Sequence, residues 1–313
     1  MLRYLVSRLA ATVPVLLVVA LVVFAILRLT PGDPAAVIAG NNATTQDIAR
    51  IRASLGLDRS LPEQFVTWGE HLLRGDAGYS FYLNKPVVEI IGERVEPTLS
   101  LAFGTLLFAV AFAIPLGTAA AWRMGGWFDK ALMGAAVAGF SIPVFVIGYV
   151  LILIFALKLH WFPVQGYESL AAGPTAWASH LVLPWAALSV VYVALLSRIT
   201  RASVSEALTE DYIRTAHAKG LSTFSVLWRH ALANAAVPVA TVVGTSFALL
   251  IGGVVVTETV FAIPGLGSLT VDAVLNRDFP VIQGVVLFFS LMYVVLNLII
   301  DLSYLFLDPR IRY

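Results

Sequence analysis

Six stretches of this chain are long enough to cross a bilayer without an Asp, Glu, Lys or Arg: Leu9–Leu27, Pro97–Trp122, Ala131–Leu157, Ser169–Ser197, His230–Thr257 and Phe279–Ile300. A helical crossing takes about 20 apolar residues, and an ionised group at mid-bilayer costs several kcal/mol. The pattern predicts six transmembrane helices, roughly over 9–29, 98–121, 131–157, 181–200, 236–259 and 281–306. None of the runs alternates apolar with polar residues, which argues against a transmembrane barrel. The first run follows Arg3 and Arg8, as a signal peptide would. It ends in Arg28-Leu29-Thr30-Pro31 with no small-residue cleavage site, so it reads as a retained anchor.

Two polar segments are longer than a simple connection requires. Residues 30–97 carry helix punctuation. Thr44 or Thr45 can cap a short helix with Ile48, Ile51 and Leu55 on one face, closed by Gly56. Ser60-Leu61-Pro62-Glu63 is a capping box with proline in the first turn. Leu61, Phe65, Trp68 and Leu72 then recur at helical spacing, and Gly75 stops the run. These helices either cap the outer ends of the spans or offer a docking surface to an external partner.

Residues 201–235 form the second segment. Thr209 followed by Glu210 and Asp211 places an oxygen cap before acids at the positive end of a helix dipole. Leu208, Tyr212, Ile213 and Ala216 fall on one face, Arg214 and His217 on others, and Gly220 fits a C-terminal stop. Ser222 or Thr223 can cap a further helix that carries Leu227, Trp228, Ala231 and Leu232 towards the fifth span. The result is a two-turn helix lying along the membrane surface. It is either an interfacial amphipathic helix or a docking site, and the small Ala216 and Ala218 suit close approach of another protein.

Composition agrees with a bilayer as solvent. Of 313 residues, 59% are hydrophobic and 12% charged, against about 45–50% and about 25% in soluble domains. A net charge of +1 gives no field to attract a polyanion, so a nucleic-acid partner is not expected. The absence of cysteine excludes disulfides and thiolate chemistry. Lys and Arg concentrate at the two termini and in the 123–130 and 198–229 segments, whereas the two short loops on the opposite side hold only Lys158 and Arg277. The positive-inside rule then makes both termini cytoplasmic. The expected fold class is all-α: a polytopic membrane protein with six transmembrane helices and a small helical extracytoplasmic segment between the first two. The expected division is a 1–29 anchor helix, a 30–97 extracytoplasmic segment and a 98–313 core.

Catalytic signatures are missing. The sequence has no Gly-Lys dipeptide and hence no phosphate loop, no H-E-x-x-H and no G-x-S-x-G. No metal site and no enzymatic activity are expected, and any ATP used must be hydrolysed by another chain. Pro115, Pro143 and Pro184 should interrupt spans two to four as structural kinks. Glu258, Asp301 and Pro143 are the pathway or gating candidates. Glu258 lies at the outer end of span five, where it either holds the 260–280 connection or touches substrate. Asp301, near the inner end of span six, can reach the headgroups or pair with an arginine. Arg28 should snorkel outward, and Asn297 could pair across helices.

Several stretches together resemble one family. They are Leu27-Arg28-Leu29-Thr30-Pro31-Gly32-Asp33-Pro34, Gly75-Asp76-Ala77-Gly78-Tyr79-Ser80 with Lys85-Pro86-Val87, the run from Asp211 to Ser222, Thr257-Glu258-Thr259-Val260-Phe261, Pro264-Gly265-Leu266-Gly267, Arg277-Asp278-Phe279-Pro280, and the terminal Leu307 to Tyr313. In this order and spacing the chain is similar to the permease subunits of bacterial ATP-binding-cassette importers for dipeptides, oligopeptides and nickel, specifically the first of the two paired permeases. It departs from the general permease motif: where that begins Glu-Ala-Ala, this chain has Arg214, Thr215 and Ala216. The resemblance implies a second homologous permease, two ATPase subunits that bind ATP and Mg, and an extracytoplasmic substrate-binding protein, assembled in the bacterial inner membrane. It implies coupling to the ATPase through a helix at about 209–222, with Asp211, Tyr212, Arg214, Thr215, Ala216, Lys219 and Gly220. It leaves dipeptides, longer peptides, glutathione-like solutes and nickel complexes as substrates. An ion-coupled secondary transporter would want mid-span carboxylates and an internal repeat, and an intramembrane hydrolase a nucleophile and base within the spans; neither pattern is evident.

Overall fold

A computed structural model describes residues 2–29, 35–36, 44–54, 56–80 and 82–307. Residues 30–34 and 308–313, which carry part of the family resemblance, lie outside the described residues, as do Leu55 and the side chains of Arg3, Arg8, Arg28 and Ile51. The described chain is mostly helical. The elements are α1 (Leu2–Leu29), α2 (Thr45–Ser54), α3 (Leu61–Leu73), α4 (Val87–Trp122), α5 (Trp127–Ser141), α6 (Val144–Leu151), α7 (Pro174–Leu208), α8 (Asp211–Ala218), a helical stretch over 223–234, α10 (Ala236–Gly253), α11 (Val255–Val260), α12 (Leu266–Leu275) and α13 (Phe279–Leu307); the 223–234 stretch is α9. An antiparallel ribbon, β1 (Tyr79–Ser80) with β2 (Lys85–Pro86), departs from the all-helical expectation.

Among the described residues, four helices are long and apolar enough to span: α4, α7, α10 and Phe279–Leu302 of α13. In α1 the apolar run is Ala10–Ala25. The span expected over 131–157 is interrupted at Pro143, as its sequence suggested, and more sharply than a kink. α5 and α6 meet at a bend of 100°, with Pro143 at the corner. Proline has no N–H to offer the helix and biases the residue before it to extended backbone, which Ile142 adopts at φ −90° and ψ 123°. Pro115 and Pro184, by contrast, do not interrupt their spans, since α4 and α7 run through them. Around Pro184 the neighbours Leu183 and Trp185 are buried, so packing holds the helix past its missing hydrogen bond. After α6 the chain widens into a π-helical stretch, Ile152–Lys158.

The chain folds as two compact units. The first comprises Met1–Glu96 and Leu266–Val294. In it, Ser60 occupies the N-cap of α3, and its N–H donates to the Glu63 carboxylate at 3.3 Å. The expected inner face of α3 is only partly right. Phe65 and Trp68 pack on Phe24 of α1, with ring centroids 5.3 and 5.7 Å away, but Leu61 is exposed and Gln64 is buried instead. The Gln64 amide donates to the Leu57 and Arg59 carbonyls at 3.1 and 2.8 Å. These bonds hold the turn before α3 and so draw a polar residue inward. Asp76 accepts from the Gly78 N–H at 2.9 Å and lies 3.0 Å from His71. Val87, Ile90 and Ile91 at the start of α4 join Leu266, Leu269, Ala273, Val281 and Val285 in one apolar cluster.

The second unit comprises Pro97–Gly265 and Val295–Tyr313. α7 runs through its centre, with half of its apolar window buried; α5, α6 and α10 all pack on it. Small residues bring α4 against α7. Ala109 and Ala113 are fully buried beside Leu196, Gly104 lies under the Trp185 ring, and a Cβ on Gly117 would fall 2.6 Å from the Ser197 carbonyl oxygen. The Trp185 indole donates to the Ser100 carbonyl at 3.0 Å. Gly117→Val should therefore separate the two helices and cost about 1–3 kcal/mol by overpacking, read as a lowered thermal midpoint in detergent. Gly134→Val, at a position with nothing within 4 Å of an added Cβ, should leave the midpoint in place.

Candidate functional site

α7 ends at Leu208, and a separate two-turn helix, α8, follows after Thr209 and Glu210. Thr209 does not cap it, contrary to expectation. Its backbone is still helical (φ −84°, ψ −10°) and its hydroxyl donates back to the Glu206 carbonyl at 2.7 Å. An N-cap needs extended backbone, and Glu210 supplies it at φ −73° and ψ 149°. At the other end, Gly220 sits at φ +77°. Its N–H donates to the His217 carbonyl at 2.9 Å, and the Leu221 N–H donates to that of Ala216 at 3.3 Å. This pair of bonds is a Schellman turn, which needs a left-handed residue and so favours glycine. Ser222 then caps α9, its hydroxyl accepting from the Ser225 N–H at 3.4 Å.

The two faces of α8 differ. Ile213 and Ala216 are buried against Ala121 of α4, Val204 and Ala207 of α7, and Val226, Ala231 and Ala235 beyond it. Burying an isoleucine stabilises by about 1.5–3 kcal/mol where water is the alternative, so this seat fixes the helix to the unit. The small Ala216 thus serves close packing within the chain itself. Asp211, Arg214, Thr215, Lys219 and Gly220 are exposed. Arg214 holds Asp211 at 2.5 Å, but both side chains are largely in solvent, where such a pair contributes under about 1 kcal/mol and exchanges partners easily. Tyr212 is not on the buried face: it is 37% exposed, and partial burial together with the Glu210 charge pushes its phenol pKa up. Beside α8, Leu227 and Ala231 are buried, while Phe224 and Trp228 are exposed with their rings 6.0 Å apart. That aromatic pair went unnoticed in the sequence; its i, i+4 spacing was the available signal.

The pathway candidates lie elsewhere in the same unit. Glu258 is fully buried in α11, its carboxylate accepting from the Thr98 hydroxyl at 2.6 Å. Its backbone carbonyl accepts from the Ile263 N–H at 2.8 Å, and Gly265 leaves no room for a Cβ against the carboxylate. The residue braces the turn that follows α11. Asp301 and Asn297 are half-buried in α13, and Pro143 forms the α5–α6 corner. A further residue pair was missed altogether. Asp129, 3% exposed, receives both Nε and Nη2 of Arg201, the latter at 2.7 Å, and the Gly125 N–H at 2.9 Å. In the sequence these two residues, far apart in the chain, registered only as separate charges at span ends.

Comparison with known proteins identifies this arrangement. Residues 113–313 match the family described as the binding-protein-dependent transport system inner membrane component, and residues 1–102 match the N-terminal part of such membrane components. The chain belongs to this family. It is 52% identical over 310 residues, 99% of both chains, to a probable peptide ABC transporter permease protein of Sinorhizobium fredii. It is 44% identical, over the whole of both chains, to a glutathione transport system permease protein of Salmonella choleraesuis, and 42% identical over 98% of both to a putative peptide transport system permease protein of Brucella abortus. A chain of the MetNI methionine ABC transporter in an inward-facing conformation shares its fold, with a TM-score of 0.59 at 15% identity, covering 70% of this chain and 96% of that one. The protein is a multi-pass membrane permease subunit of an ABC transport system.

In this permease the bidentate Asp129–Arg201 pair ties the first turn of α5 to α7. Arg201→Met would leave a buried carboxylate without its cation, which typically costs about 3–5 kcal/mol. The expected outcome is a large drop in thermal midpoint, with Arg201→Lys intermediate because lysine cannot make the fork.

Proposed function

We propose that this permease forms half of the translocation pathway of an importer for dipeptides or oligopeptides, driven by partner ATPases through α8. The observation that carries the reading is the division of α8 in a chain of this family: Ile213 and Ala216 are held inside, and a charged and aromatic face is left outside and closed by the turn at Gly220. Six spans cross the bacterial inner membrane with both termini cytoplasmic, the bent α5–α6 pair counting as one. Residues 1–29 are then the anchor, 30–97 the extracytoplasmic segment and 98–313 the core.

Two ATPase subunits bind ATP and Mg; this chain binds neither and is not an enzyme. Asp211, Tyr212, Arg214, Thr215, Lys219 and Gly220 lie against a groove on the ATPase, with Tyr212 as the aromatic anchor and Arg214 and Lys219 facing acids. ATP binding supplies the differential free energy that moves the permease pair from inward- to outward-facing. A second homologous permease completes the pathway, and α13, with only 6% of its apolar window buried in this chain, offers surface to that subunit or to lipid. An extracytoplasmic binding protein delivers the substrate. The peptide-permease relatives support peptide as cargo; the glutathione permease relative supports glutathione-like solutes, with nickel complexes as a further alternative. An ion-coupled mechanism finds no support in Glu258, whose carboxylate braces a turn.

Gly220 gives the test. Nothing lies within 4 Å of a Cβ added there, so a side chain strains only the backbone or a docked partner. Gly220→Val costs about 1–2 kcal/mol in the left-handed conformation, and Gly220→Asn less, because asparagine tolerates it. The expected result is loss of ATPase co-purification and of peptide-stimulated ATP hydrolysis with valine, and partial loss with asparagine. Unchanged assembly and coupled hydrolysis in the valine variant would reject docking through α8. Tyr212→Ala should weaken assembly by about 2 kcal/mol if the tyrosine is a central anchor, measured by titrating purified ATPase onto the permease pair.

A further inference from the structure

The first unit contains a cavity of about 290 Å³ walled by Tyr82, Arg94, Asp272, Asn276 and Asp278 together with apolar side chains. Asp278 is 6% exposed. One of its carboxylate oxygens accepts from the Ser80 hydroxyl; the other, Oδ1, is buried without a hydrogen-bond partner. Among the described residues, the side chains of Arg94 and Asp272 make no hydrogen bond or ion pair either. Arg94 and Asp278 thus line a common space without an ion pair between them, while Asp272, also in its wall, is exposed to solvent. A buried, unpaired carboxylate oxygen is costly, and the cavity is too polar to stay dry.

A ligand carrying both signs would satisfy Arg94 and Asp278 together. An ammonium would be taken by the Asp278 carboxylate once it turns its buried Oδ1 into the space, and a carboxylate would take the fork of Arg94 in a charge-assisted, two-point contact. Size sets the class, since a cavity of about 150 Å³ holds benzene and this one admits an amino acid or a dipeptide. We propose that the cavity is a recognition site for a zwitterion of amino-acid or dipeptide size, held between Asp278 and Arg94. The proposal rests on the peptide-import reading only for the ligand's place in transport; the binding chemistry comes from these two charges.

The test uses the assembled permease–ATPase complex in lipid nanodiscs without its binding protein, titrated with glycylglycine by calorimetry, alongside peptide uptake by the complete transporter. Removing one ligand charge, with N-acetylglycylglycine or glycylglycine amide, should weaken binding roughly tenfold to a hundredfold. Arg94→Gln and Asp278→Asn should each do the same. Ser80→Ala leaves both charges in place and should change affinity by less than about threefold. Equal affinity in wild type and Arg94→Gln, or equal affinity for the capped and free dipeptide, overturns the site. Arg94 is half-buried and bonds to nothing described, so its variant remains decisive even if Asp278→Asn fails to assemble. Peptide uptake with an unchanged KM in both variants, together with unchanged binding, removes this site and leaves the import reading standing. Binding without uptake of any peptide removes the import reading and leaves this site.

Discussion

Between helices in a bilayer, burying apolar side chains brings little gain, because lipid tails are as apolar as leucine. Close approach has to hold them instead, through dispersion summed over many short contacts. α4 and α7 meet this constraint at Gly104, Ala109, Ala113 and Gly117, where side chains are small enough for Trp185 and the backbone of Ser197 to come into contact. α7 is the most buried span for that reason, and α5, α6 and α10 are arranged around it. Large hydrophobics such as Phe103, Leu107 and Phe112 remain exposed on α4.

The buried charges of the second unit are held by specific partners. Asp129 and Arg201 fix the first turn of α5 to α7. Glu258 and Thr98 brace the turn after α11. Between such anchored points α8 is held by two apolar side chains only, so it is firmly placed yet presents nearly all its polar atoms outward. A helix that had to slot into a partner and carry its movement to the spans needs both properties. Rigid seating passes on a displacement; an unsatisfied outer face accepts a partner without first breaking strong internal bonds.

Among the described residues, four of the expected spans and the bent α5–α6 pair were legible, because charge exclusion from lipid acts on every residue of a span and needs no knowledge of its neighbours. The stop at Gly220 was legible for a similar reason, since a left-handed turn is a property of one residue. Failures came where the outcome depended on what lay across space. The start of α8 moved from Thr209 to Glu210 because α7, expected to end near residue 200, continues to Leu208 and keeps Thr209 helical. Three prolines looked alike, yet only Pro143 broke its helix. Leu61 and Gln64 exchanged their expected places because the turn before α3 offered two carbonyls to an amide.

Composition and periodicity alone established a helical membrane protein, the positions of its apolar runs and the existence of a short surface helix, all set by local solvent preference. Tertiary structure decided which polar groups meet and which stay apart: Asp129 with Arg201, Glu258 with Thr98, Asp278 and Arg94 lining one cavity. Those pairings join residues distant along the chain, and their energies depend on burial and separation, quantities that no single stretch of sequence contains.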